Sequence, residues 1–315
     1  MYIINMSTDV DKKILVTGCG GMLGSAVVPY FKKIGYKVIA TSRRKNVEIV
    51  DEVLDVTMFD LFEEKINQHK PDMIFHLAAE TSLEYCEDNP DKAFNNNTIG
   101  IQNAALLSKK YNIELVYIST AGVFNGLKSK PYDEFDTPDP IMIYGKSKYE
   151  GEKLVKMLCD RFYIVRAGWM IGGIERDKKF VSLIVEQLAN NAKKIYAVND
   201  KIGSPTFAPL FAKNLENLIR TGFYGIYHMT SEGYDTRYDV AKEIIKILGL
   251  TNKVELISVS SDFFSKNYYV PRPPSESMRN YNLALRGINN MGDWRHAIVP
   301  YVKELFHQKR LLMKK

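Results

Sequence analysis

Short apolar runs alternate along this chain with stretches in which apolar residues return every three or four positions. The first run is Lys13-Ile14-Leu15-Val16-Thr17; after a glycine-rich turn, Met22, Leu23, Val27, Val28, Phe31 and Ile34 recur at helical spacing up to Gly35. Residues 36–40, 53–56, 73–79 and 113–120 read as further strands, with a helix over about 91–110 before the last of them. Another helix begins near Tyr144, and 162–166 adds a strand. Strands alternating with amphipathic helices predict an α/β fold with a doubly wound parallel sheet. Beyond it, 174–179 reads as a charged, mobile loop, and 180–190, 208–221 and 236–248 as helices, the last capped by Thr236. A final helix carries Val299, Val302, Leu305 and Phe306 on one side and ends in a basic tail. No Gly/Ser-rich linker separates two lobes, so the expected division is discontinuous. Residues 1–167 form a nucleotide domain, with about 200–230 packing on it, and 168–199 plus 231–315 form a smaller substrate lobe.

The turn after the first strand is Gly18-Cys19-Gly20-Gly21-Met22-Leu23-Gly24, a strand–glycine turn–helix unit of the Rossmann type. Gly18 permits the tight turn, Gly21 lets backbone approach a pyrophosphate, and Gly24 lets helix and strand pack closely. The helix start around Met22 and Leu23 offers free N–H groups to an anion. The next strand ends in Thr41-Ser42-Arg43-Arg44, with no acid to bind both ribose hydroxyls and two guanidiniums suited to a 2′-phosphate. NADP(H) is therefore expected, with NAD(H) left open. Asp55, beside Val56, is a candidate acceptor for the adenine amine, and Leu77-Ala78-Ala79 supplies small residues at a strand end where a cofactor can pass. His76, inside the same apolar run, reads as a core histidine. Glu84, Glu87 and Asp88 read as a solvated helix face.

The chemistry lies in Tyr144-Gly145-Lys146-Ser147-Lys148. Residues four apart share a helix face, so the Lys148 ammonium can approach the Tyr144 phenol and lower its pKa, making a proton donor. Thr120 ends a strand at the sheet edge where such folds bind ligands, and its hydroxyl can hold a substrate oxygen; bonding to its own backbone is the other reading. The net charge of +6 suits an anionic small molecule, with no Lys/Arg-rich platform for nucleic acid. No apolar run is long enough for a membrane span. Residues 1–13 lack the order of a secretion signal. Cys19, Cys86 and Cys159 have no metal-ligand spacing and read as reduced thiols of a cytoplasmic protein. No metal site is expected.

Taken in order, these segments resemble the extended short-chain dehydrogenase/reductases, and within them the dTDP-4-dehydrorhamnose reductase family. The likeness runs through the glycine turn, His76-Leu77-Ala78-Ala79, Asn97-Thr98-Ile99-Gly100, Ser119-Thr120 through Gly126, and the Tyr144–Lys148 segment. It continues in Arg166-Ala167-Gly168-Trp169, Asp200 through Thr206, Gly225-Ile226-Tyr227-His228 and Arg272-Pro273-Pro274. The resemblance implies NADPH-dependent reduction of a nucleoside-diphosphate 4-keto-6-deoxy sugar, with Thr120, Tyr144 and Lys148 as the catalytic triad. It also implies that Asn97 supports Lys148 through water, and that Thr81, Ala121 and Trp169 contact substrate, Trp169 as a platform for the sugar. Arg272, held by flanking prolines, is a candidate for the substrate pyrophosphate, a surface loop arginine being the other reading. Many relatives carry Asp-Tyr where this chain has Ala121-Gly122, so the pocket floor differs. Ala121 and Gly122 also lack the acids of a sugar-nucleotide dehydratase. An epimerase with tightly bound NAD, a regulatory subunit of the kind that binds methionine adenosyltransferase, and a homodimer remain open.

Overall fold

In the computed structural model, which describes residues 11–45 and 48–312, a seven-stranded parallel sheet forms the centre. The reading of 1–13 as lacking a secretion signal, and the end of the basic tail, fall largely outside the described residues.

The chain enters through β1 (Lys13–Thr17), α1 (Gly24–Lys33), β2 (Lys37–Ser42), a two-residue β3 (Glu52–Val53) and α2 (Phe59–His69). Then come β4 (Met73–His76), α3 (Leu83–Asp88), α4 (Pro90–Phe94), α5 (Gly100–Tyr111), β5 (Glu114–Thr120), α6 (Ile143–Leu158) and β6 (Phe162–Ala167). The second half carries β7 (Trp169–Ile171), α7 (Phe180–Ala189), β8 (Lys194–Val198), β9 (Ile202–Gly203), β10 (Pro205–Phe207), α8 (Ala208–Ile219) and β11 (Gly225–His228). It ends with β12 (Asp235–Thr236), α9 (Arg237–Ile247), β13 (Glu255–Val259), β14 (Ser275–Glu276), α10 (Tyr281–Leu285), α11 (Trp294–Ala297) and α12 (Val299–Leu312).

The sheet order is β11-β6-β5-β4-β1-β2-β3. The direction of winding reverses between β1 and β4, and a crevice opens there at the strands' carboxyl ends. Both faces are covered, as an all-parallel sheet requires. Val27, Val28 and Phe31 of α1 pack with Phe211, Leu215 and Leu218 of α8 on one face. Phe62 and Ile66 of α2, Ile101, Ala104 and Leu107 of α5 and Val155 of α6 cover the other. A separate core joins α7, α9, α11 and α12 around Val185, Ile244, Trp294 and Val302.

Three local expectations change. The helix over 91–110 is broken by a π-helical turn at Asn95–Ile99, where three successive asparagines, weak helix formers, lie. The segment 174–179 is packed: Ile174–Arg176 forms a 3₁₀ turn, and buried Asp177 accepts bonds from the Tyr301 hydroxyl at 2.8 Å and from Lys179 N at 2.9 Å. The acids of α3 are not simply solvated. Glu84 pairs with Arg272 at 2.6 Å, Glu87 accepts from Ile143 N at 3.2 Å, and Asp88 accepts from the Tyr269 hydroxyl, so α3 ties α6 to the loop between β13 and β14. Thr236 does cap α9, accepting from Asp239 N at 3.1 Å. No helix among the described residues is long and apolar enough to cross a membrane.

Candidate active site

The glycine turn lies at the reversal point. Gly18 has φ +68°, and a Cβ there would stand 2.6 Å from Ala78 backbone atoms, so only glycine allows β1 to meet the end of β4. A Cβ on Gly24 would strike Cys19 backbone at 2.3 Å, whereas one on Gly21 would meet only Gly18 O, at 3.4 Å. The surface at Gly21 is thus open backbone, and no side chain caps α1. A pyrophosphate fits that cradle. Ser42 ends β2 half-buried, and Arg43 and Arg44 follow it exposed, with Arg43 donating to Asn96 Oδ1 at 3.4 Å. Asp55 accepts from Thr57 N and Oγ1 at 3.0 and 2.8 Å, which holds the turn after β3, and Val56 packs beneath Gly100. Leu77, Ala78 and Ala79 line the end of β4, half-buried; Thr81 beyond them is exposed.

The residues expected to transfer the proton come together where α6 begins. A Cβ on Gly145 would stand 2.1 Å from Gly122 O, a closeness that brings Tyr144 to the end of β5. The Thr120 hydroxyl accepts from Gly122 N at 3.1 Å, the local backbone bond, and also meets the Tyr144 phenol, whose pKa it acts to lower. The phenol itself departs from expectation. Desolvation in the cleft raises it to about 12, outweighing the Thr120 bond, while Glu276 and Glu80 add to the rise. Burial draws Lys148 itself down to about 7, which leaves its positive charge partial near neutrality and less able to oppose that rise. Its ammonium stands 4.2 Å over the Tyr117 ring, and the Tyr117 hydroxyl donates to Lys148 O at 3.0 Å.

The π turn turns Asn97 inward. Its amide donates to Ser147 Oγ and Glu80 O, both at 3.0 Å, and accepts from Glu80 N at 2.7 Å, so it fixes the residue before Lys148. Ser147, Tyr117 and Glu152 are site-supporting residues that pattern reading missed. Glu152, buried on the same helix, binds Arg166 twice (2.9 and 2.7 Å) and accepts from Ser119 Oγ at 2.6 Å, tying α6 to β5 and β6. Its position four after Lys148 was the available signal. His76 is buried, 3.3 Å from Thr17 Oγ1, and burial pushes its pKa down to about 3, as suits a core histidine. Cys19, Cys86 and Cys159 are free and buried.

On the opposite wall, Trp169 lies against Gly203 and donates Nε1–H to Glu276 Oε2 at 2.8 Å, while the Arg237 guanidinium stacks 3.8 Å from its ring. Burial draws Arg237 down to about 10. Ala121 is buried behind Thr120. Arg272 also binds Val270 O at 3.0 Å and lies over Tyr268, so its guanidinium is engaged within the chain. Arg237 and Glu276 were not anticipated: nothing in their local sequence distinguishes them from surface charges.

The family described as RmlD substrate binding domain matches residues 12–307. The chain belongs to that family. Its relatives include a spore coat polysaccharide biosynthesis protein, SpsK, of Bacillus subtilis, 33% identical over 93% of this chain and 97% of the relative. A dTDP-4-dehydrorhamnose reductase of Aggregatibacter actinomycetemcomitans is 33% identical over 77% of this chain and 84% of its own. Among solved structures, the dTDP-4-dehydrorhamnose reductase of Bacillus anthracis in complex with NADP superposes with TM-score 0.84 at 30% identity, covering 95% of this chain and 99% of that one. The RmlD-family fold and the glycine-turn crevice thus agree with the resemblance carried by the motifs.

Proposed function

We infer that this chain is an NADP-dependent oxidoreductase that reduces the keto group of a nucleoside-diphosphate 4-keto-6-deoxy sugar, of the dTDP-4-dehydrorhamnose kind, to the alcohol. The observation that carries this reading is the Thr120 hydroxyl against the Tyr144 phenol, with Lys148 one turn on, beside an open glycine cradle. The relatives named as reductases weigh for it and against an epimerase or a regulatory subunit.

In this reading Gly18, Gly21, Met22, Leu23 and Gly24 hold the coenzyme pyrophosphate, Ser42, Arg43 and Arg44 its 2′-phosphate, and Asp55 and Val56 its adenine. Leu77, Ala78, Ala79 and Asn97 border the nicotinamide half. When bound, NADPH supplies the hydride that the keto carbon needs. Tyr144 gives its proton to the developing alkoxide, a far stronger base than a phenolate. Held at about 12, the phenol is fully protonated near neutrality and ready to donate. Lys148, drawn to about 7, can return a proton to the phenolate. Thr120 holds the sugar oxygen in line with the phenol.

Thr81, Ala121 and Trp169 border the sugar, and Arg272 would exchange its pair with Glu84 for the diphosphate, with Arg237 as the neighbouring cation. We place the enzyme in the cytoplasm, which suits its three free thiols; its product would feed cell-surface polysaccharide. Incubating the purified protein with NADPH and dTDP-4-dehydrorhamnose tests the reading. Coenzyme oxidation matched by formation of the 4-hydroxy sugar is expected, and absence of turnover with any 4-keto sugar nucleotide would overturn it.

A further inference from the structure

Next to Thr120 the pocket floor has no side chain at Gly122. A Cβ built there would stand 3.4 Å from Thr120 Oγ1 and 3.7 Å from Glu276 Oε1, which puts those two oxygens at most about 7 Å apart. The carboxylate comes from the far end of the chain: β14 runs parallel to β9, with Glu276 in register with Gly203. Trp169 Nε1 holds one of its oxygens, Oε2, at 2.8 Å. The other, Oε1, takes no hydrogen bond from any described residue and faces the Thr120–Tyr144 edge, close enough for its charge to act on the phenol.

A 4-keto-6-deoxy hexose has one hydroxyl vicinal to its ketone, at C3, because C5 carries the ring oxygen and the methyl group and no hydroxyl. With the keto oxygen on Thr120 and Tyr144, that hydroxyl lies within one ring bond of them and needs an acceptor once water is excluded. We propose that Glu276 is a specificity-determining residue whose Oε1 accepts the hydrogen bond of the sugar hydroxyl next to the keto carbon. The open backbone at Gly122 is what lets a carboxylate from β14 reach this place. The proposal rests on the sugar-reductase reading above and extends it to one substrate atom.

A purely structural Glu276, pinning Trp169 and balancing Arg237, would affect every substrate alike. The discriminating experiment is kcat/KM for wild type, Glu276→Gln and Glu276→Ala with the parent dTDP-4-keto-6-deoxy sugar and with its 3-deoxy analogue. Wild type is expected to favour the parent roughly tenfold to a hundredfold, the worth of a hydrogen bond to a charged group. In Glu276→Ala the ratio falls to near one. Glu276→Gln is isosteric, keeps an oxygen for Trp169, and safeguards against misfolding of the alanine variant; its ratio falls several-fold. If both variants slow the two substrates equally and the wild-type ratio persists, the inference is wrong while the reductase reading stands. A wild type inactive toward the parent sugar overturns both.

Discussion

Replacing Lys148 by methionine is predicted to stabilise the fold while removing turnover. The side chain is buried, and burial draws its pKa from 10.5 to about 7. Through linkage, housing this amine costs up to about 4 kcal/mol at pH 7 relative to the unfolded chain. The shifted pKa is a net figure, so the contact of the ammonium with the Tyr117 ring is already counted in it. Methionine keeps most of the apolar stem and needs no proton, so the variant should gain up to about 4 kcal/mol and several degrees in Tm. The pH dependence carries a sign. The folded pKa lies below the unfolded one, so between about 7 and 10.5 the unfolded chain holds the extra proton, and wild type gains stability as pH rises through that window. The variant's advantage is therefore full below pH 7 and shrinks toward pH 10. Urea unfolding without coenzyme, at intervals from pH 6 to 9.5, measures the gap. A variant less stable than wild type at pH 7, or a gap independent of pH, would refute the reasoning.

The glycine turn should separate folding from binding. Gly24→Ala, whose Cβ would strike Cys19 backbone, is expected to lower Tm sharply, while Gly21→Ala folds normally and loses NADPH affinity, as thermal melts and coenzyme titration would reveal. Replacing Arg43 and Arg44 together by alanine should raise KM for NADPH tenfold or more and leave KM for NADH nearly unchanged in steady-state assays. Acid should also destabilise the fold. Burial holds His76 and His228 at about 3, so below pH 6.5 the unfolded chain takes up protons that the folded one refuses. Stability should fall by roughly 2 kcal/mol per histidine between pH 7 and 5, and a His76→Gln variant should show a shallower decline in denaturation midpoint.

Much of the sheet was legible because buried parallel strands and amphipathic helices leave periodic traces. β1, α1 and β5 lie within a residue or two of their expected bounds, and α6 starts one residue before its expected start. The Tyr144–Lys148 spacing was legible for the same reason: four residues make one helical turn. What pattern could not convey is which partners tertiary folding supplies. Lys148 was expected to act on Tyr144, but β5 slides Tyr117 beneath its ammonium, and burial dominates both pKa values. Glu84 looked solvated until Arg272, almost two hundred residues later, was folded against it. Glu276 reaches the pocket only because β14 pairs with β9, a pairing of two residues that no periodicity announces.

The most direct test of the central claim is the single-turnover rate of Tyr144→Phe with bound NADPH and dTDP-4-dehydrorhamnose. If Tyr144 is the proton donor, the variant binds coenzyme as wild type does and its hydride-transfer rate falls by about 10²–10⁴-fold. A rate within a few-fold of wild type would contradict the account.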